Sequence, residues 1–205
     1  MPIYRRVTDR NIPEANNLFV VVGQACTAWA NVELGLISLF DCIVTSIPPK
    51  GSMVAFGSLV SLNVRMTQLR SVYQAYFLSG LTNPDTPEDE RLKQYDDFSI
   101  IFRRIESANG LRNKIVHGSV TEIESQDGQK HYRVCPPFFT QKNQNRRARN
   151  PSGPLLEYEM DEAEIVRYVN YFESLSDYLL KVSSNFRFQQ DAFFDKAILR
   201  NIPSL

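Results

Sequence analysis

Histidine is nearly absent from this chain: two residues in 205, His117 and His131. The three cysteines, Cys26, Cys42 and Cys135, are odd in number and show no Cys-x-x-Cys or other metal-ligand spacing. Cys26 and Cys42 lie in apolar helical stretches, where a free cysteine is expected to act as a small hydrophobe. No zinc site and no cofactor are expected. Excess charge is missing too, with 23 Lys and Arg against 23 Asp and Glu and a pI near 6.7. A protein that holds nucleic acid by bulk charge is usually strongly basic, so any such contact here must come from a local patch. Long apolar runs are also lacking. The longest, Leu18 to Val22, ends at Gly23-Gln24 and is too short to span a bilayer. Arg5, Arg6 and Arg10 near the amino terminus are not followed by a hydrophobic signal region, so a cytoplasmic protein without a membrane partner is expected. Glycine-rich phosphate loops, nucleophile elbows and internal repeats do not occur.

What the chain does have is helical periodicity. At about 100° per residue, Val22, Trp29, Leu36 and Phe40 share a stripe of a first helix over about Pro13 to Thr45, with Gln24, Asn31 and Ser38 opposite. Ser46-Ile47-Pro48-Pro49-Lys50-Gly51 breaks it. A second helix over roughly Gly57 to Ser79 is marked by Leu59, Leu62, Met66, Leu69, Tyr73 and Tyr76 in steps of three and four. The third starts at Thr86 as N-cap, with Pro87 and Glu88-Asp89 behind it, and ends at His117 before Gly118; Gly110 marks a candidate kink. Val120 to Ser125 and Lys130 to Cys135 flank the turn signal Gln126-Asp127-Gly128-Gln129. A third short strand is expected at Leu155 to Glu159. Asp161, with Glu164 three residues on, caps a last helix striped by Ile165, Val169, Phe172, Leu175 and Leu179. Residues from Phe186 to Leu205 read as a tail. The expectation is a single, mainly α domain over residues 1–205: an up-and-down bundle of about four long helices with a small β insertion at about 119–159.

The third helix carries the candidate chemistry. With Ala108 set at 0°, Ile101, Ile105, Leu111 and Ile115 fall within about 60° of one line, whereas Glu106, Asn109, Asn113 and His117 cluster near about 100–180°. Arg112 projects at about 40°, into the apolar side, where a guanidinium needs a partner. Glu33, about 40° from Trp29 on the first helix, is the expected one. Arg112-Asn113-x-x-x-His117 near the end of a long helix resembles the signature of HEPN domains. Trp29-x-x-x-Glu33, Gly118 and the following hairpin are similar to a bacterial HEPN-like group, and the resemblance covers most of residues 15 to 185.

That resemblance implies a helical, often dimeric domain and a metal-independent endoribonuclease of toxin–antitoxin, phage-defence or RNA-processing systems. Arg112, Asn113 and His117 would be its catalytic set, Glu33 its support, RNA its substrate, and a second copy or a cognate antitoxin its partner. In such chemistry His117 would transfer a proton, Arg112 would stabilise charge on the phosphate and Asn113 would orient a neighbour. Lys142, Arg146, Arg147 and Arg149 form a candidate RNA-contacting loop, although a solvated loop explains the same residues. A structural reading also stands: His117 beside the helix C-terminal carbonyls, Asn113 holding a loop, and Glu33–Arg112 as a buried ion pair. On that reading the chain is a non-catalytic interaction module of the same fold.

Overall fold

The computed structural model describes residues 3–7, 12–44, 50–59, 61–78, 87–137 and 158–187. In chain order they form β1 (Ile3–Arg6), α1 (Pro13–Val44), α2 (Lys50–Gly57), α3 (Leu62–Leu78), α4 (Glu88–His117), β2 (Ser119–Glu124), β3 (Lys130–Cys135) and α5 (Glu162–Arg187). The fold is mainly α with one small antiparallel sheet in the order β1-β2-β3. The chain divides into two compact units, Met1–Trp29 with Asn109–Asn170 and Ala30–Ala108 with Tyr171–Leu205.

In the first unit, β2 and β3 form the expected hairpin. Gly128 adopts φ +82° and donates its N–H to the Ser125 carbonyl at 3.0 Å, while Ser125 N–H reaches Gln129 O at 2.9 Å. This closes a short loop in which only glycine sits without strain. Among the described residues the third strand of the sheet is β1, which the sequence reading did not include and which pairs with β2 through Ile3↔Glu124 and Arg6↔Thr121. The expected strand at Leu155–Glu159 lies mostly outside the described residues, and the next residue, Met160, forms a single bridge to Val134. The apolar side chain of Tyr4 packs on Ile123 and Cys135, which gives β1 its reason to join the sheet. At the start of α5 the expected capping box is complete: Glu164 N–H donates to Asp161 Oδ1 at 2.8 Å and Asp161 N–H to Glu164 Oε2 at 3.1 Å.

The second unit is built on aromatic packing. Tyr73 of α3 stacks on Phe98 of α4 with ring centroids 3.8 Å apart, and Phe77 and Phe102 close around it. Gly35 of α1 lets α5 approach so closely that an added Cβ would lie 2.8 Å from Leu179 Cβ. The Pro48-Pro49 break does not lead straight to the second long helix, because the short α2 begins at Lys50. Leu59 therefore lies between α2 and α3 rather than on a helix stripe. The Thr86 cap lies outside the described residues; the first α4 bond is accepted by the Pro87 carbonyl from Arg91 N–H at 3.1 Å. Helix α1 is long and apolar enough to cross a membrane by length and composition. Its apolar content includes the buried stripe Leu18, Val21, Ala25, Ala28, Val32, Leu36 and Leu39, the pattern of a core helix.

Candidate functional site

Helix α4 carries its polar residues where its periodicity placed them. Ile101, Ile105, Ala108 and Ile115 are buried and Leu111 is half-buried, while Glu106, Asn113 and His117 are exposed and Asn109 is half-buried. Gly110 stands within an unbroken helix. Arg112, which periodicity set within the apolar side, is half-buried. Its Nη1 donates to Asn113 Oδ1 at 3.0 Å. A guanidinium and an amide are thus joined on one turn, and the His117 imidazole sits one turn beyond Asn113 on the same polar stripe. Among the described residues none hydrogen-bonds that ring. The cluster offers a fixed cation, an amide and an accessible proton carrier.

The end of α4 is built unlike the expected glycine stop. Gly118 does not take the left-handed conformation of a helix-terminating glycine; among the described glycines only Gly128 has positive φ. Glycine is required at 118 by crowding instead. An added Cβ would lie 2.5 Å from Val134 Cγ1, 2.8 Å from Lys114 O and 3.2 Å from Cys135 O. Gly118 N–H bonds to Ile115 O at 3.3 Å, which tightens the last turn. The Lys114 carbonyl accepts the Tyr158 hydroxyl at 2.9 Å, and Lys114 Nζ stands 5.6 Å from the centroid of the same ring.

Glu33 has a cation that the sequence reading passed over. Its Oε2 pairs with Arg65 Nη1 of α3 at 2.9 Å. Arg65 also donates from Nε to Leu59 O at 2.8 Å and from Nη2 to Gly57 O at 3.2 Å, tying the α2–α3 link in place. The expected pairing of Glu33 with Arg112 rested on both lying in apolar stripes. Arg65 satisfied the same test, standing three residues after Leu62 and four before Leu69. Glu33 therefore has a structural use within its own unit.

The other candidates separate by exposure. Lys142, Arg146, Arg147 and Arg149 lie outside the described residues. His131 is exposed on β3. Cys26 is exposed, contrary to its expected role as a small core hydrophobe, and Cys42 is half-buried. Cys135 is buried, and burial together with the nearby Glu159 charge pushes its thiol up to about 12, so it is a packing residue and not a nucleophile. Among the described residues no group of three or more His, Cys, Asp or Glu is arranged to hold a metal ion. No family model, curated protein or solved structure matches this chain at a significant level.

Proposed function

We propose that the chain is an endoribonuclease of the HEPN type, a cytoplasmic toxin or phage-defence component that cuts RNA through its own ribose 2′-OH. The observation that carries this reading is the grouping of exposed Asn113 and His117 with the half-buried Arg112, its guanidinium 3.0 Å from the Asn113 amide. The 2′-oxygen loses its proton to a base and attacks the adjacent phosphorus. The bond from phosphorus to the 5′-oxygen breaks, and that oxygen takes a proton from an acid. The products are a 2′,3′-cyclic phosphate and a 5′-hydroxyl end. Imidazole suits both proton transfers near neutral pH. Arg112 would offer forked donors to the phosphorane oxygens, oriented by its bond to Asn113. The resemblance adds a second copy of the chain facing the first, whose imidazole would serve as the acid while the other serves as the base.

A second reading has its own observation. The Arg112–Asn113 bond occupies part of the guanidinium within its own helix, as a merely structural arginine would. The chain would then be a non-catalytic interaction module that binds a partner protein. Incubating the full chain with a mixed RNA pool, with and without EDTA, separates the two. The nuclease reading expects cleavage that survives the chelator and falls roughly 100- to 10,000-fold in His117→Ala. Arg112→Ala should be comparably inactive, with stability changed by less than about 1 kcal/mol, since its partner Asn113 is exposed. Undiminished cutting by the His117 variant would remove the mechanism, and a wild type that cuts nothing would leave the interaction module.

A further inference from the structure

The Lys114 carbonyl is one of the last four of α4, which have no partner inside a regular helix. Gly118 N–H, the donor that would have served it had the helix continued, goes to Ile115 instead. Its partner comes from residue 158, forty-four positions away: the Tyr158 hydroxyl at 2.9 Å. Tyr158 is anchored in turn. Two residues beyond it, Met160 exchanges both backbone bonds with Val134 of β3, at 2.8 and 3.0 Å. The phenol is therefore carried by the sheet, and it grips the turn from which Asn113 and His117 project. Lys114 Nζ over the ring face adds a cation–π contact to the same grip.

We propose that Tyr158 is a positioning residue for this site, holding the last turn of α4, and with it Arg112 and His117, in one orientation through its bond to the Lys114 carbonyl. This rests on the nuclease reading for its catalytic meaning. Without the grip, a helix end frays and its side chains sample several directions. Catalytic geometry tolerates little of that, since a displacement of about 1 Å is worth roughly 100-fold in rate. A cap that served stability alone would leave turnover untouched.

The test uses the full chain and Tyr158→Phe, which keeps the ring and its packing and removes only the donor. Amide hydrogen exchange is followed at Val116, His117 and Gly118, with Thr121 and Glu122 of β2 as internal reference. Cleavage of one oligoribonucleotide that the wild type cuts gives kcat and KM separately. Exchange at the three α4-end amides should rise about tenfold or more while the β2 amides hold their rate. Turnover should fall about tenfold with KM within roughly twofold. Lys114→Met, which removes the cation and keeps the carbonyl, should raise exchange of the turn less than Tyr158→Phe does; an equal or larger rise would overturn the proposal by placing the grip in the cation. Unchanged exchange in Tyr158→Phe overturns the proposal, and so does faster exchange with unchanged kcat. Should the wild type cut no RNA, the nuclease reading fails, and the grip is decided by exchange and by the His117 ring signal in NMR. That signal should be single and sharp in the wild type and broadened in Tyr158→Phe; the same sharp signal in both overturns it.

Discussion

Glu122 shows how a carboxylate can be buried in this chain. It sits on β2 opposite Tyr132, and its oxygens meet Lys130 Nζ at 3.2 Å, the Tyr132 hydroxyl at 3.1 Å and Arg5 Nη1 at 3.8 Å. The Lys130 bond does most to hold the carboxyl below its ordinary 4.5; burial opposes it, and Tyr132 and Arg5 add to the lowering. A carboxyl with a lowered folded value contributes stability above its unfolded value and loses it as pH falls through the folded one. Wild type should therefore exceed Glu122→Gln in thermal midpoint at neutral pH, and the gap should close as pH drops below 4.5. Melting both proteins in steps from pH 7 to pH 3 (roughly the span of carboxylate titration) checks this; a gap that persists at the acid end would show that the ion pairs are not its source. The cluster also shows what a sequence reading cannot reach. Arg5 was visible only as one of three arginines near the amino terminus, because its partners are more than a hundred residues away.

Elements defined by local signals were legible, and those defined by distant contact were not. The capping box at Asp161, the hairpin turn at Gly128 and the polar stripe of α4 each rest on residues within a few positions of one another, and each stands where expected. Strand β1 was missed because Ile3–Arg6 gains its identity from β2 rather than from its own short pattern. Helix α2 is not legible from sequence because a Pro-Pro pair signals the end of one helix as readily as the start of the next. The exposure of Asn113 and His117 followed from periodicity alone, whereas the Tyr158 contact with Lys114 did not, being long-range. Helix α1 allows a clean test of packing against propensity. Gly35→Ala would place a Cβ 2.8 Å from Leu179 Cβ, whereas an added Cβ at Gly23 meets nothing within 4 Å. Overpacking of about 1–3 kcal/mol should outweigh the gain of about 1 kcal/mol in helix propensity at position 35. At position 23 only the gain applies. Urea midpoints should thus move down for Gly35→Ala and up for Gly23→Ala; movement in the same direction would show that the α1–α5 approach is not close-packed.

At the scale of the whole molecule, balanced charge removes bulk electrostatics as a way of holding RNA and places the burden on a local surface. The proposed chemistry needs two proton carriers, and each chain brings one histidine to the α4 end. Both requirements are met if two chains associate across the exposed face of Asn113, Val116 and His117. In a two-fold contact each residue lies near its own copy or its neighbours' copies, so the two imidazoles and two guanidinium groups would share one cleft. Val116, 37% exposed on that face, supplies apolar surface to such a contact. Light scattering should then give a mass near twice the chain's 23.5 kDa at tens of micromolar (an order-of-magnitude concentration). Val116→Asp sets like charges against each other across the axis and should yield a folded monomer that no longer cuts RNA. Because Val116 is exposed, its far-UV spectrum and thermal midpoint should stay close to the wild type's. A monomeric wild type under these conditions would remove the two-imidazole mechanism, and a Val116→Asp monomer that still cuts RNA would show that one chain holds the complete site.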